Sequence, residues 1–167
     1  MGIVVNDSQN LFMLQTRSNS YAFGIDNQGL VRHLYWGSRI NAMEDFEMPE
    51  LAEVSTNDPV YEITKEEFPV YGGLRYKEHC LKVTFADGTR DVAYEYVNYE
   101  IQKNEQCEEL VIILKDKHYA LVMELHYKIY EAYDLMERFV VLKNESTEVM
   151  QIEKLHSGQF HVPYEGL

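Results

Sequence analysis

The sequence predicts an all-β fold, a mostly antiparallel β-sandwich, and three observations carry that expectation. Apolar residues recur at every second position in many short runs, turn residues punctuate those runs, and no apolar stripe of helical period persists between two caps. Many short strands with frequent turns suit two sheets that press their apolar faces together. Phe12, Leu14 and Thr16 alternate, as do Tyr21, Phe23 and Ile25 after Ser18-Asn19-Ser20. Asp26-Asn27-Gln28-Gly29 then supplies turn residues and a glycine able to take positive φ, so the chain should return through Leu30 to Trp36 as a hairpin. Residues 41–67 break the pattern with Glu and Asp scattered from Glu44 to Glu67 among Pro49 and Pro59 and read as a long acidic loop. Leu81, Val83 and Phe85 alternate again. Asp87-Gly88 predicts a second hairpin into Val92, Tyr94 and Tyr96. Leu110 to Leu114 reads as a strand buried on both faces, and Leu121, Met123, Leu125, Tyr127 and Ile129 form a long period-two run. Strands at 139–142 and 149–155 complete the set. Residues 134–140 are the nearest helix candidate but merge into β-branched sequence.

With 46% hydrophobic and 26% charged residues over 167 positions, one soluble globular domain spanning 1–167 is expected. A chain this long buries roughly two-thirds of its unfolded surface, so its core needs no disulfide or metal. Cys80 and Cys107 therefore read as a reduced, cytosolic pair in strand-like sequence. The opening residues Met1 to Asp7 lack a basic and an apolar region, so no export signal is read there. The longest apolar run, 110–114, is far shorter than the ~20 residues of a membrane-spanning helix. A formal net charge of −13 repels phosphate backbones, which excludes nucleic acid as a natural partner and leaves neutral ligands unpenalised.

No catalytic constellation emerges from the spacing. A glycosidase needs two carboxyl groups flanking one bond, whereas the adjacent pairs Glu66-Glu67 and Glu108-Glu109 point to opposite faces of an extended chain; both read as solvated. The six histidines have no short metal-ligand spacing, and neither a Gly-x-Ser-x-Gly elbow nor a phosphate-cradling glycine loop occurs, so no metal or cofactor is expected. Gly72-Gly73 reads as a turn or bulge. The thirteen tyrosines read as packing residues first and sugar platforms second, and Trp36, the only tryptophan, as a core plug or an interface anchor.

Three blocks of residues resemble a known family. Phe12-x-Leu14-x-Thr16, Ser20-Tyr21-x-Phe23, Gly29-Leu30 and His33-Leu34-Tyr35-Trp36-Gly37 form the first. Phe68-Pro69-x-Tyr71-Gly72-Gly73 leading to Leu81-Lys82-Val83 and Asp87-Gly88 forms the second. Leu125-x-Tyr127-x-Ile129, Asp134-Leu135, Arg138 and Asn144 form the third. Together they resemble the N-terminal β-supersandwich domain of the family-36 α-galactosidases, through most of the chain. The resemblance implies a non-catalytic domain that packs on a (β/α)8 barrel of the parent chain, assists homo-oligomerisation and shapes the entrance for galactosides. The parent reaction would be retaining hydrolysis of terminal α-galactosides. Where that family has Gly-Asp-Phe/Tyr-Arg and a Pro-Ala pair, this chain reads Leu74-Arg75-Tyr76-Lys77-Glu78-His79-Cys80, which reverses the charge at Arg75. The resemblance implies interface or substrate-adjacent roles for Trp36, Tyr71, Arg75 and Lys77. The barrel's Lys-Trp-Asp motif is absent, since Trp36 follows Tyr35 and precedes Gly37. The alternative is an independent carbohydrate-binding or protein-interaction sandwich, because a fold does not fix a function.

The family's supersandwich normally continues beyond the region of His161-Val162-Pro163, so unpaired strand edges are expected, and such edges pair with other chains. Light scattering at micromolar concentration should accordingly report self-association; a purely monomeric species contradicts it.

Overall fold

The computed structural model describes residues 2–43, 46, 48, 65–72 and 78–160. Among the described residues, ten strands and one short 3-10 turn make up the regular structure: β1 (Gly2–Asn6), β2 (Leu11–Gln15), β3 (Asn19–Ile25), β4 (Val31–Ser38), β5 (Leu81–Thr84), β6 (Tyr94–Lys103), β7 (Glu108–Asp116), β8 (Leu121–Tyr130), β9 (Leu135–Asn144) and β10 (Gln151–Leu155). They form two four-stranded antiparallel meanders, β1-β2-β3-β4 and β6-β7-β8-β9, and a β5-β10 pair. The all-β sandwich predicted by the alternation is the fold observed. The first strand, Gly2–Asn6, was not visible as a strand in the sequence; it pairs with β2 along its whole length.

The two meanders face one another across a single core. Phe12 and Phe23 stack at 5.3 Å, Phe23 stacks on Tyr127 of the opposite sheet at 4.8 Å, and Phe12 meets Tyr99 edge-on at 5.2 Å. Phe12–Phe23 is a cross-strand pair within the first sheet and the other two cross between sheets; aromatic pairs of this kind stabilise by about 0.5–1.5 kcal/mol beyond the area they bury. The first sheet is covered on its other face too. Leu11, Met13 and Ala22 form a second cluster with Met43, Ile40 and Phe46. That double burial explains why β2 is buried at every position. The alternating Phe12 and Leu14 face the main core, and the interleaved Leu11 and Met13 face this second cluster. On β8 the alternation survives, with Leu125, Tyr127 and Ile129 inside and Glu124, His126 and Lys128 half-buried outside.

The turn at 26–29 forms as predicted. Gly29 has φ +78°, its amide donates to the Asp26 carbonyl at 3.0 Å, and β3 pairs with β4. The second predicted hairpin does not. Gly88 does turn the chain at φ +85°, but β5 pairs with β10 and β6 pairs with β7, so the two runs enter different sheets. An Asp-Gly turn fixes the local reversal; which strand each arm then joins depends on the partner that buries its apolar face. Residues 135–140 lie in β9, Asp134 caps the turn before it in the left-handed conformation, and only 131–133 make a helical turn. Neither cysteine lies in a strand: Cys80 is buried just before β5 and Cys107 is half-buried just before β7, and both are free.

A bulge in β4 sets the inner surface. Tyr21 pairs with Trp36 and Phe23 with His33, the register slipping by one residue between them. Without the slip, His33 and Trp36 would lie on opposite faces; with it, both join the Tyr21 face.

Phe23 is fully buried between the two sheets, so Phe23→Ala should cost about 3–5 kcal/mol of stability. The check is a lowered denaturant midpoint with an unchanged slope; a shift below about 1 kcal/mol would refute its central place in the core.

Candidate functional site

The segment 65–72 links the sheets. His33 donates its amide to the Lys65 carbonyl at 2.8 Å and Glu67 donates to the Val31 carbonyl at 2.9 Å, so 65–67 lies along the outer edge of β4. Beyond it Phe68 and Val70 are fully buried, and Tyr71 donates to the Leu81 carbonyl at 2.9 Å beside β5.

This path carries Glu66 and Glu67 into the interior, which corrects the expectation that the pair is solvated: both are fully buried. The predicted opposite orientation holds, each finding its own cation. Glu66 lies 3.5 Å from Arg32, which also binds Asp26 at 2.6 Å. Glu67 Oε1 accepts from Tyr21 Oη at 2.6 Å and lies 2.8 Å from His33 Nδ1. Its Oε2 accepts from Arg138 Nη1 at 2.6 Å and from Tyr127 Oη at 3.0 Å. Arg138 Nη2 donates to the Glu67 carbonyl at 2.7 Å, making a two-pronged grip, and its guanidinium lies over the Tyr127 ring at 5.0 Å. The cross-strand pairing of Tyr127 with Arg138 is what stacks them.

Burial pushes the Glu67 carboxyl up. The Arg138 charge and the hydrogen bonds from His33 and Tyr21 outweigh it and hold the group below the usual carboxylate range. Burial and the Glu67 charge push the Tyr21 phenol far above its usual value, so it remains a donor. The Cys80 thiol, also buried, is pushed up to about 11 and stays protonated at neutral pH. Fully enclosed and saturated with donors, Glu67 has no access to a substrate and no spare role as nucleophile or base. Glu108 and Glu109 are likewise engaged: Glu108 accepts the Ile3 amide at 3.3 Å, and Glu109 lies 2.8 Å from His126. Among the described residues no group of three His, Cys, Asp or Glu could hold a metal, and no helix is long and apolar enough to cross a membrane.

Of the residues singled out by sequence, Trp36 is 42% exposed and sits at the mouth of a cleft of about 320 Å³ above the Glu67 cluster, in contact with Phe160. It is therefore not a core plug. Tyr71 lies elsewhere, beside the β5-β10 pair, with Lys82 at 5.1 Å and Arg90 at 5.4 Å from its ring. Those two cations converge on Glu153, whose carboxyl the Thr84 and Arg90 hydrogen bonds lower to about 2. Gly72 has φ +139°, a backbone conformation that favours glycine, and Gly73, the other half of the expected turn or bulge, lies outside the described residues. Arg75 and Lys77 lie outside the described residues. Tyr94 and Tyr127 are core residues while Tyr133 is exposed, so packing dominates the tyrosines that could be placed. The Glu67–Arg138 pair was missed. Its partners are 71 residues apart, and the one available signal was an arginine, beside Glu137, ahead of the apolar run Phe139 to Leu142.

Fold and site together define an antiparallel β-sandwich domain locked by a buried, structural arginine–carboxylate pair, with an open aromatic cleft above it. The glycosyl hydrolase family 36 N-terminal domain model matches residues 29–167, and the chain belongs to that family. The bifunctional alpha-galactosidase/sucrose kinase AgaSK of Mediterraneibacter gnavus is 23% identical over 92% of this chain and 19% of its own length. Alpha-galactosidase AgaA of Geobacillus stearothermophilus is 21% identical over 98% of the chain and 26% of its own. The crystal structure of the alpha-galactosidase from Lactobacillus brevis superposes on 93% of the chain with a TM-score of 0.80 at 24% identity, using 24% of that protein. The chain thus spans about a quarter or less of the length of these relatives.

Removing one member of the buried pair strands the other, so Glu67→Gln and Arg138→Met should each cost about 3–5 kcal/mol, and the double variant much less than their sum. Because Glu67 titrates lower in the folded protein than its ordinary 4.5, its contribution is complete above that pH and is lost as pH falls through the folded value. Denaturation at pH 7 and at pH 3 reads this: the wild type should lose stability on acidification, and Glu67→Gln should lose less.

Proposed function

We propose that this chain is the non-catalytic N-terminal domain of an α-galactosidase whose reaction is the retaining hydrolysis of terminal α-galactosides. The observation that carries this reading is the family match over 139 consecutive positions, residues 29–167, together with relatives named as α-galactosidases that are roughly four to five times as long. In this reading the domain packs on the parent's catalytic barrel, assists oligomerisation and shapes the substrate entrance. Supporting a packing role, Val149, Ile152 and Leu155 expose apolar side chains on and beside β10. Supporting oligomerisation, β6 and β9 are the outer strands of their sheet among the described residues. Trp36, Tyr71, Arg75 and Lys77 are assigned to the interface or the substrate entrance. The free Cys80 and Cys107 suit a reducing, cytoplasmic setting.

The test is to read the uninterrupted coding frame past Leu167 and assay its whole product on an α-galactoside. A Lys-Trp-Asp motif followed by a glycine-rich acid motif, cleavage by the whole product and none by residues 1–167 alone are the expected results. A stop codon directly after Leu167 sinks the reading.

A further inference from the structure

One wall of the Trp36 cleft is not built from a strand. Tyr21, Trp36, Tyr127, Met136 and Arg138 line it from β3, β4, β8 and β9, whereas Phe160 reaches it from an irregular segment past the end of β10. The chain is still tied to the β5 side at His156, whose amide donates to the Cys80 carbonyl at 2.7 Å. Residues 157–160 then cross over the Glu67–Arg138 clamp as a strap, and none of the four is fully buried.

Three contacts hold the strap down. The Gln159 amide donates to the Glu67 carbonyl at 3.3 Å, the same oxygen that Arg138 Nη2 holds at 2.7 Å. Gly158 lies so close to the guanidinium that a methyl group there would overlap Arg138 Cζ and fall 2.6 Å from Nε and Nη1. A flexible arginine could step aside, but this one is 5% exposed and bound to Glu67 through both terminal nitrogens, so the strap would have to yield instead. Phe160 completes the closure, its ring centre 5.7 Å from that of Trp36 and 5.8 Å from Arg138 Cζ.

Closure also has a cost. Gln159 Oε1 and Arg138 Nε are both buried with no hydrogen-bond partner among the described residues. A polar atom buried unpaired forgoes the bond that water would give it. The closed strap therefore sets one long backbone bond and a contact between two exposed rings, Trp36 and Phe160, against two forgone bonds to water. Lifting it breaks no strand pairing in either sheet. Segments with so few buried contacts open at a small fraction of the free energy that unfolds the whole domain.

We propose that residues 157–160 are a hinged strap that lifts off the Glu67–Arg138 clamp from its His156 anchor while the sandwich stays folded, widening the cleft at Trp36. Gly158 is the seat of the strap, Phe160 its latch, and opening gives water access to Gln159 Oε1 and Arg138 Nε. The α-galactosidase reading does not enter this argument, so either can fail without the other.

Native-state hydrogen exchange on the 167-residue chain, read by NMR, tests the strap. The Gln159 amide should exchange at least about 100-fold faster than the Leu125 amide of the central strand β8, at a rate that low denaturant leaves unchanged, and still about tenfold slower than in an unstructured peptide. Gly158→Ala and Phe160→Ala should each bring Gln159 to about the unstructured rate without moving Leu125. In Gly158→Ala, which keeps Phe160, acrylamide should quench Trp36, the sole tryptophan, about 1.5-fold more strongly than in the wild type. If Gly158→Ala lowers the unfolding midpoint, Phe160→Ala, at an exposed position, decides the matter. Three results overturn the proposal: Gln159 exchanging as slowly as Leu125, Gln159 unprotected in the wild type, or a Gln159 rate that neither substitution changes.

Discussion

The grip of Arg138 on Glu67 is the contact on which the rest of the sandwich depends. It joins three pieces of chain that have no covalent reason to meet: the 65–72 segment through Glu67, the first sheet through Tyr21 and His33, and the second through Tyr127 and Arg138. An ionised carboxylate is expensive to bury, so this arrangement is tolerable only because each oxygen has two hydrogen-bond partners and Arg138, one of those four, also donates to the Glu67 backbone carbonyl. Hydrophobic burial supplies the drive to collapse, but it is indifferent to register. The directional bonds at Glu67 admit one placement of 65–72 against both sheets, which is the specificity that a uniformly apolar core lacks.

That placement has consequences down the chain. With Glu67 fixed, Phe68 and Val70 enter the core and Tyr71 is delivered to the side of β5, where Lys82 and Arg90 flank its ring. The bulge in β4 does the complementary work on the other side, rotating Trp36 onto the inner face yet leaving it at the mouth rather than in the core. The cleft and the clamp are therefore one construction: the floor of the first is the donor set of the second.

Alternation, turn residues and the lack of a helical stripe were enough to read an all-β sandwich, and the strands at Leu11–Gln15, Asn19–Ile25, Val31–Ser38 and Leu121–Tyr130 lie where the period-two pattern places them. Strand identity is a local property of side-chain spacing. The first strand escaped because Ile3-Val4-Val5 is three consecutive apolar residues, which show no alternation. The Asp87-Gly88 turn misled because a reversal of direction does not name a partner strand, and β5 finds β10 some 70 positions later. The blocks around Trp36 and Tyr71 carried the family likeness, which the match over residues 29–167 shows.

What the sequence determined by itself, then, is the fold class, most of the strands and the family, because each is written in patterns a few residues wide. Only the tertiary structure decided that Glu66 and Glu67 are interior charges, that the two runs flanking Asp87-Gly88 part company, and that Trp36 opens a cleft. The physical reason is common to all three. Burial and pairing depend on partners such as Arg138 and β10, which lie tens of residues away and become neighbours only when the sheets close.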